Sequence, residues 1–258
     1  MRNLFFIVIT LGTLCSCKHV AKQQPVQTPL NPNTQTLKAP EKKSDDTLVL
    51  NKIVENIIYD LNNDGVKDTI SLSQDTAKKN PNWFNRMTLV VSGQKQQIFR
   101  NRDAWGLVDT AFLKKNKNVV KSNWVYVYKD SSQSIVLLFG LMYGAGRAKS
   151  SALQIKDGKI KMVFDKEFDF ISTLSDLDND GVVEIAVKSF SEMYEQTNSA
   201  QINTYDPYFV YSLTDSSKLN IELTQKYNEE NYVWAGLHPK KTVKVRYPLD
   251  GSKPSIVK

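Results

Sequence analysis

The sequence predicts a mainly β protein, and three observations carry that prediction. Runs in which apolar or β-branched residues alternate with polar ones recur after residue 46, with turn residues between them. Two of the intervening segments are near copies, Asp-Leu-Asn-Asn-Asp-Gly at residues 60–65 and Asp-Leu-Asp-Asn-Asp-Gly at residues 176–181. A further Asp-Gly pair at residues 157–158 separates two alternating runs, which is a strong signal for a two-residue β-hairpin turn.

The predicted elements follow in chain order. The expected strands cover residues 53–59, 69–73, 89–91, 97–99, 124–128, 135–139, 153–156, 159–163, 168–174, 185–190, 208–211 and 242–247. They are rich in β-branched and aromatic residues, and Gly, Asp, Asn or Ser lies between them. One helix is predicted over residues 103–114, because Trp105, Val108 and Phe112 recur at helical spacing.

Residues 1–16 have the pattern of an export signal. Arg2 gives a positive start, and residues 4–14 form an apolar run that is too short to span a bilayer. The run ends in Leu-Cys-Ser-Cys, which resembles the lipobox of bacterial lipoproteins. That resemblance implies that Cys17 is lipidated and anchors the chain to a membrane, since several acyl chains on one cysteine bind stably. An ordinary secretory signal is the alternative.

Residues 17–46 are predicted to be the lipidated cysteine and a disordered tether. Lys, Gln, Thr, Asn and Pro dominate this segment, so it lacks the apolar surface that would offset its ordering entropy. Lys18 follows the cysteine, and the lipoprotein sorting rule therefore implies the outer membrane. No acidic cluster of the kind that marks surface export follows it, so the periplasmic face is expected over the cell surface. Residues 47–258 are expected to form one all-β domain.

The two near copies carry oxygen ligands in the spacing of a metal-binding loop. We call residues 60–68 the first acidic loop and residues 176–184 the second acidic loop. Positions 1, 3, 5 and 9 bear oxygen side chains, and the glycine at position 6 allows a sharp turn that presents the position 7 carbonyl. The candidate ligands are Asp60, Asn62, Asp64, Val66 and Asp68 in the first loop, and Asp176, Asp178, Asp180, Val182 and Glu184 in the second.

Calcium is the predicted cofactor, in a structural role. It takes many oxygen ligands in a flexible geometry, whereas magnesium demands a stricter one. An EF-hand is excluded, because position 12 is Ser71 or Val187 instead of glutamate and strands flank both loops. Ordinary Asp-Gly turns without an ion are the alternative.

A loop of this kind between two strands resembles the FG-GAP/VCBS repeat of integrin-α-like β-propellers. The resemblance implies a small or incomplete FG-GAP-like β-propeller, with an antiparallel β-sandwich as the alternative. The loops start 116 residues apart, which would place a middle copy near residue 118, where no such loop occurs. The chain is also similar to Bacteroidota lipoproteins with such loops, some of which are described as surface-polysaccharide-related envelope proteins.

Composition argues against several kinds of catalysis. The chain contains two histidines and two cysteines, too few for a His/Cys zinc site in the exported part, and no G-x-S-x-G nucleophile motif. No catalytic residue is assigned and no catalysis is expected, although a pair of carboxylates would suffice for a glycosidase.

The excess of basic over acidic residues indicates which classes of partner the chain can bind. The formal net charge is +7, and nucleic acid is implausible for an exported lipoprotein, so an anionic glycan, lipid headgroups or an envelope protein are the expected partners. Basic residues cluster at positions 114–121 and 240–246, where protection of an edge strand is an equal explanation. Aromatic residues crowd positions 205–234 and would serve either as core or as a sugar-stacking surface.

These observations lead to two functional hypotheses. The first is a non-enzymatic, lipid-anchored β-domain of the cell envelope, stabilised by calcium, that binds a protein or glycan partner. The second is an enzyme or accessory factor in surface polysaccharide biosynthesis. Carboxylates meeting in a cleft outside the two loops would favour the second, and an open basic or aromatic face would favour the first.

Overall fold

The structure, a computed structural model, describes residues 51–75, 82–143, 146–214 and 216–257. The predicted signal peptide, Cys17 and the tether lie outside these residues. The described part is dominated by β-strands, and every strand pair in it is antiparallel. The prediction of a mainly β protein is therefore confirmed.

Sixteen of the strands form four four-stranded sheets, named here by their order along the chain. Sheet 1 contains β1 (Asn51–Tyr59), β2 (Asp68–Asp75), β3 (Phe84–Val90) and β4 (Gln97–Trp105). Sheet 2 contains β5 (Tyr126–Lys129), β6 (Gln133–Leu138), β9 (Ser150–Lys156) and β10 (Lys159–Lys166). Sheet 3 contains β11 (Phe170–Ser175), β12 (Glu184–Lys188), β15 (Phe209–Leu213) and β16 (Ser217–Leu219). Sheet 4 contains β13 (Met193–Gln196), β14 (Ala200–Thr204), β17 (Lys244–Pro248) and β18 (Ser255–Ile256).

Within each sheet, the strands lie side by side in the order in which the chain makes them. Three insertions interrupt this simple meander, one of which, the second half of sheet 3 (β15 and β16), lies between β14 and β17 of sheet 4. The short hairpin of β7 (Met142–Tyr143) and β8 (Gly146–Arg147) lies between β6 and β9, and the first half of sheet 4 lies between β12 and β15. Hairpin connections dominate because antiparallel neighbours need only a short turn.

Sheets 1 and 2 pack face to face through a shared hydrophobic cluster. Leu72 and Met87 of sheet 1 belong to the same hydrophobic cluster as Val136 and Leu138 of β6, and all four side chains are fully buried. Alternate residues of a strand point to opposite faces, so the intervening Ile135 of β6 belongs to a second cluster on the other side of sheet 2. Sheet 2 is therefore covered on both faces, which explains why every residue of β6 is buried.

Sheet 3 forms the next layer in the same way. Ile185 and Val187 of β12 join the second cluster, which faces sheet 2, and Ala186 between them joins a third cluster on the far side. There it packs with Leu223 of helix α2 (Ile221–Asn231). The layers thus run sheet 1, sheet 2, sheet 3 and α2, and β12, like β6, is buried at every position.

The hairpin predictions are confirmed by the strand register. Tyr59 pairs with Asp68 across the first acidic loop, and Ser175 pairs with Glu184 across the second. The Asp-Gly turn at residues 157–158 joins β9 to β10, with both turn residues at positive φ, as a type I′ hairpin turn requires.

The helix prediction was wrong at its start. The observed helix α1 is Thr110–Lys115, and the segment up to Trp105 belongs to β4. Asp109 caps the helix, because its Oδ1 accepts hydrogen bonds from the amides of Ala111 and Phe112. Trp105 and Phe112 are both buried, but they belong to different hydrophobic clusters. The 3.6-residue spacing across this segment was therefore a coincidence of two separate elements.

The described sheets remain open and do not close into a ring. Among the described residues, none of the helices has the length and hydropathy of a transmembrane span.

Candidate functional site

The two acidic loops adopt the same backbone conformation. Position 4 is a non-glycine residue with positive φ in both, Asn63 at 64° and Asn179 at 61°. Position 6 is glycine with positive φ, Gly65 at 82° and Gly181 at 86°. Asparagine and glycine tolerate this left-handed region best, so these residue types explain why both segments turn alike.

Three hydrogen bonds recur at the same positions in both loops. The glycine amide at position 6 donates to Oδ2 of the aspartate at position 1, over 3.2 Å in the first loop and 2.9 Å in the second. The amide at position 7 donates to Oδ1 of the aspartate at position 5, over 2.7 Å in each. The amide at position 2 donates to the carboxylate at position 9, over 2.6 and 3.0 Å. The sequence repeat is therefore also a structural repeat.

The second acidic loop gathers three carboxylates. Oxygens of Asp176, Asp178 and Glu184 all lie within 4.8 Å of one another. Glu184 is 1% exposed, and burial, followed by the nearby charges of Asp178 and Asp180, raises the pKa of its carboxyl to about 7. Asp180 is exposed and lies outside this group of three, with one oxygen accepting the amide of Val182. Clustered negative charge around a buried carboxylate favours the binding of a cation.

The first acidic loop distributes its carboxylates differently. Asp68 is 2% exposed, and its two oxygens accept the amides of Leu61 at 2.6 Å and Ser92 at 2.7 Å. The side chain of Asn62 donates to Asp64 over 2.9 Å, and this bond, together with the Val66 amide, lowers the pKa of Asp64. Among the described residues, the three carboxylates of this loop do not come together as those of the second loop do.

Lys129, from the end of β5, reaches the first loop from sheet 2. Its ammonium group lies 3.7 Å from Asp60 Oδ1 and donates a hydrogen bond to the Asp60 carbonyl. It also lies 5.1 Å from the ring centroid of Tyr59. A fixed positive charge therefore already partly compensates position 1 of this loop.

The loops of the three stacked sheets lie along one rim of the molecule. The side-chain amide of Asn63 donates to the carbonyls of Asp130 and Ser131, in the turn between β5 and β6, over 3.3 and 3.4 Å. Directly after this turn, Gln133, the first residue of β6, donates to the carbonyl of Gly181 over 3.4 Å. The turn at residues 130–132 thus occupies in sheet 2 the place that the acidic loops occupy in sheets 1 and 3.

This arrangement corrects the expected position of a middle copy. Residue 118 lies before β5, where the Asn118 side chain accepts the amide of Val127 over 2.9 Å and donates to the carbonyl of Val125 over 2.9 Å. The corresponding turn begins at Asp130, because the segment with α1 lengthens the first interval and a short turn replaces the nine-residue loop.

The donor chemistry of the second loop fits a hard divalent cation. Asp176, Asp178 and Glu184 offer carboxylate oxygens within 4.8 Å of one another, and the sequence adds Asp180 and the carbonyl of Val182. No sulfur or nitrogen ligand is needed, which suits calcium. The sequence of the first loop offers a similar set of oxygen ligands. Two of them already have partners, however, because Lys129 forms an ion pair with Asp60 and backbone amides donate to both oxygens of Asp68.

The aromatic residues of the last third enclose one of the chain's own lysines. The ammonium group of Lys188 lies 4.2 Å from the ring centroid of Tyr232 and 5.3 Å from that of Tyr247, and donates to Tyr247 Oη over 2.8 Å. Lys188 and Tyr232 are 6% and 2% exposed. This part of the cluster is therefore packed interior between sheets 3 and 4.

Sequence reasoning missed a different basic surface. Lys156, Lys159, Lys161 and Lys218 line a cavity beside the second acidic loop. The first three flank the hairpin turn at residues 157–158, so the sequence does signal them, whereas Lys218 joins them only through the stacking of sheets 2 and 3.

Comparison with known proteins finds no family model, no curated protein and no solved structure that matches this chain. The repeat of the two acidic loops within the chain is therefore the relationship on which a functional proposal can rest.

Proposed function

We propose that this chain is a lipid-anchored domain of the bacterial outer membrane that binds a protein or glycan partner and is stabilised by calcium at its acidic loops. The observation that carries the proposal is the group formed by Asp176, Asp178 and Glu184, whose oxygens lie within 4.8 Å of one another around a buried carboxylate. Lipid attachment at Cys17, with the domain on the periplasmic face, is the part of the proposal that the N-terminal sequence supports.

The finer fold proposed is a small or incomplete β-propeller. Three consecutive four-stranded meanders stack face to face, and the turn between their first two strands lies on the same rim in each. Blades of a propeller are arranged in this way. The alternative is an antiparallel sandwich, which differs from a propeller in that its successive sheets are not rotated about a common axis.

In this proposal, Asp176, Asp178, Asp180, Glu184 and the Val182 carbonyl would hold calcium in the second loop. The ion would supply positive charge to a cluster that otherwise repels itself, and so would stiffen the β11–β12 hairpin. The equivalent residues of the first loop would hold a second and weaker ion, because Lys129 competes for Asp60.

Thermal unfolding of the purified protein in EDTA and in excess calcium tests the calcium site. At about a hundredfold excess over Kd, calcium should raise the midpoint by roughly 5–10 °C. The double variant Asp176→Asn/Asp178→Asn should lose most of this rise and should be no less stable than wild type in EDTA, since it relieves repulsion. Asp250→Asn, in an exposed turn outside the loops, should keep the full rise. A wild-type thermal midpoint that is the same in EDTA and in excess calcium would overturn the proposal.

The anchor is tested separately in cells fed a labelled fatty acid. Wild type should carry the label and fractionate with the outer membrane, and Cys17→Ala should do neither. Label retained by the variant would overturn lipidation at Cys17 without bearing on the calcium site.

A further inference from the structure

A cavity of about 620 Å³ lies between sheets 2 and 3, next to the second acidic loop. One side is formed by the β9–β10 hairpin and the other by β15, β16 and the turn that connects them, and Gly181 and Val182 of the second loop complete it. This volume is within the usual range of small-ligand sites. Four lysines and a single aspartate, Asp157, are the charged residues of its described lining.

The lysines of the hairpin are placed on one face by the strand register. Lys159 pairs directly with Lys156, and Lys161 pairs with Gln154, so all four side chains leave the same face of the β9–β10 ribbon. Directly opposed like charges destabilise a strand pair. Within the described ranges, neither Lys156 nor Lys159 forms an ion pair with a carboxylate. The hairpin therefore holds positive charge that a bound anion would compensate.

Lys218 adds positive charge from the opposite wall. It lies on β16, the edge strand of sheet 3, while Lys159 and Lys161 lie on β10, the edge strand of sheet 2. The side chain is exposed and, in the described part of the chain, has no carboxylate partner. An anion in the cavity would thus be contacted from two sheets, which a simple charged surface does not provide.

Neutral polar groups line the same cavity. Gln154 donates to Gln133 over 2.7 Å, and Gln133 in turn donates to Asp130 and to the Gly181 carbonyl, so the amides form an ordered row. Thr214 and Ser216 contribute hydroxyl groups on the opposite side. Amides and hydroxyls of this kind suit a ligand that carries hydroxyl groups of its own.

The lining also excludes some ligand classes. Among the described residues, the lining contains no aromatic side chain on which a neutral sugar ring could stack, and no arginine to bind a single carboxylate or phosphate in a bidentate manner. Strand geometry places the Cα atoms of the paired Lys156 and Lys159 roughly 5 Å apart and those of Lys159 and Lys161 roughly 7 Å apart. Spread point charges of this type match a ligand whose anionic groups are also spread out.

We propose that this cavity binds an acidic oligosaccharide, a glycan segment that carries carboxylate or sulfate groups on successive sugars. Lysines contact the anionic groups, and the Gln154 amide and the hydroxyls of Thr214 and Ser216 contact the sugar hydroxyls, while the buried Gln133 holds Gln154 in place. The proposal deepens the proposed function, on which it rests, by assigning the partner class and its site. The competing explanation is that these lysines only protect the edge strands β10 and β16 from pairing with other chains.

Calorimetric titration of the purified protein with tetragalacturonate tests the site, with maltotetraose as the uncharged control and tripolyphosphate as an anion without sugar. Tetragalacturonate should bind, more weakly at high ionic strength, and maltotetraose should not. Lys159→Gln/Lys161→Gln should weaken binding at least about tenfold. Lys240→Gln/Lys241→Gln, which removes the same charge at exposed positions outside the cavity, should change it less than about twofold.

Each contrary outcome has a distinct meaning. Equal losses in both double variants would overturn a specific site in favour of general charge attraction. Tripolyphosphate binding as tight as that of tetragalacturonate would overturn the sugar assignment. Absence of tetragalacturonate binding, with aggregation of the Lys159→Gln/Lys161→Gln variant, would leave edge protection as the role of these lysines. In each case the calcium-dependent rise in the thermal midpoint decides independently whether the proposed function stands.

Discussion

The Lys129 ammonium group lies 3.7 Å from Oδ1 of Asp60 and crosses from sheet 2 to the first acidic loop to do so. The second acidic loop has no ion pair of this kind among the described residues. Two loops with the same backbone and nearly the same sequence thus differ in their electrostatic surroundings. A lysine from the neighbouring sheet compensates one, and the other is left with three close carboxylates.

Lys129→Met should therefore increase the calcium affinity of the first loop. The change removes a positive charge that competes for Asp60 and keeps the apolar stem of the side chain. In a background of Asp176→Asn/Asp178→Asn, which disables the second loop, adding Lys129→Met should restore a calcium-dependent rise in the thermal midpoint. Lys166→Met, which removes a lysine that lies 5.2 Å from the ring centroid of Tyr211, is the matched control and should restore nothing. Equal behaviour of the two lysine variants would show that Lys129 does not govern the first loop.

The calcium-free protein should be more stable at mildly acidic than at alkaline pH. Burial raises the pKa of Glu184 from its ordinary value of 4.5 to about 7 in the folded state, so the folded chain binds more protons than the unfolded chain between these values. Its contribution to stability is present below the unfolded pKa and is lost as pH rises through the folded one. In EDTA, the thermal midpoint should fall between about pH 5 and pH 8.

The variant Glu184→Gln shows how much of this pH dependence of the thermal midpoint comes from Glu184. Burial also raises the pKa of Asp206, so some pH dependence in the same direction should survive in the variant. The variant should nevertheless show a flatter midpoint against pH than wild type. Superimposable pH profiles of the two proteins in EDTA would mean that Glu184 titrates normally.

The sequence was sufficient to predict the acidic loops because their chemistry is local. Positive φ at Asn63 and Asn179, the glycines at position 6 and the aspartate-to-amide hydrogen bonds all lie within nine residues. The same holds for the hairpin at residues 157–158. Helix α2 was not predicted, because two of its three buried residues are polar and their hydrogen-bond partners lie far away in the sequence.

In α2, Thr224 and Asn228 occupy buried positions that an apolar stripe would normally fill. Thr224 accepts the amide of Val210 over 3.0 Å, and Asn228 accepts the amide of Tyr208 over 2.9 Å and donates to its carbonyl over 2.8 Å. Hydrophobic periodicity cannot detect a helix that docks in this way. Lys129 contacts the first loop, and Lys218 lines the cavity, only because the sheets stack on one another. No local sequence pattern predicts that stacking.

Lys188→Ala should destabilise the fold by roughly 2–4 kcal/mol, since it removes a desolvated cation–π contact and a charged hydrogen bond and leaves a void. Equilibrium urea unfolding measures this loss. Lys188→Met should recover part of it by refilling the space among Tyr208, Tyr232 and Tyr247. Lys244→Ala removes a lysine that lies over the exposed ring of Tyr194, and it should cost no more than about 1 kcal/mol. Similar losses for Lys188→Ala and Lys244→Ala would mean that the enclosed lysine has no special structural role.

Calcium and the acidic oligosaccharide should strengthen each other's binding. Gly181 and Val182 line the basic cavity and belong to the second acidic loop, and Gln133 links the cavity amides to the Gly181 carbonyl. An ion that stiffens this loop also fixes one wall of the cavity and adds positive charge near the anion. Tetragalacturonate should bind at least about fivefold more tightly in excess calcium than in EDTA, which corresponds to a coupling free energy of about 1 kcal/mol. Because calcium can also bridge uronates directly, the Asp176→Asn/Asp178→Asn variant is the necessary comparison, and its tetragalacturonate affinity should be the same with and without the ion. If calcium increased the tetragalacturonate affinity equally in wild type and in this variant, the coupling would arise from calcium bound to the ligand and not from the second acidic loop.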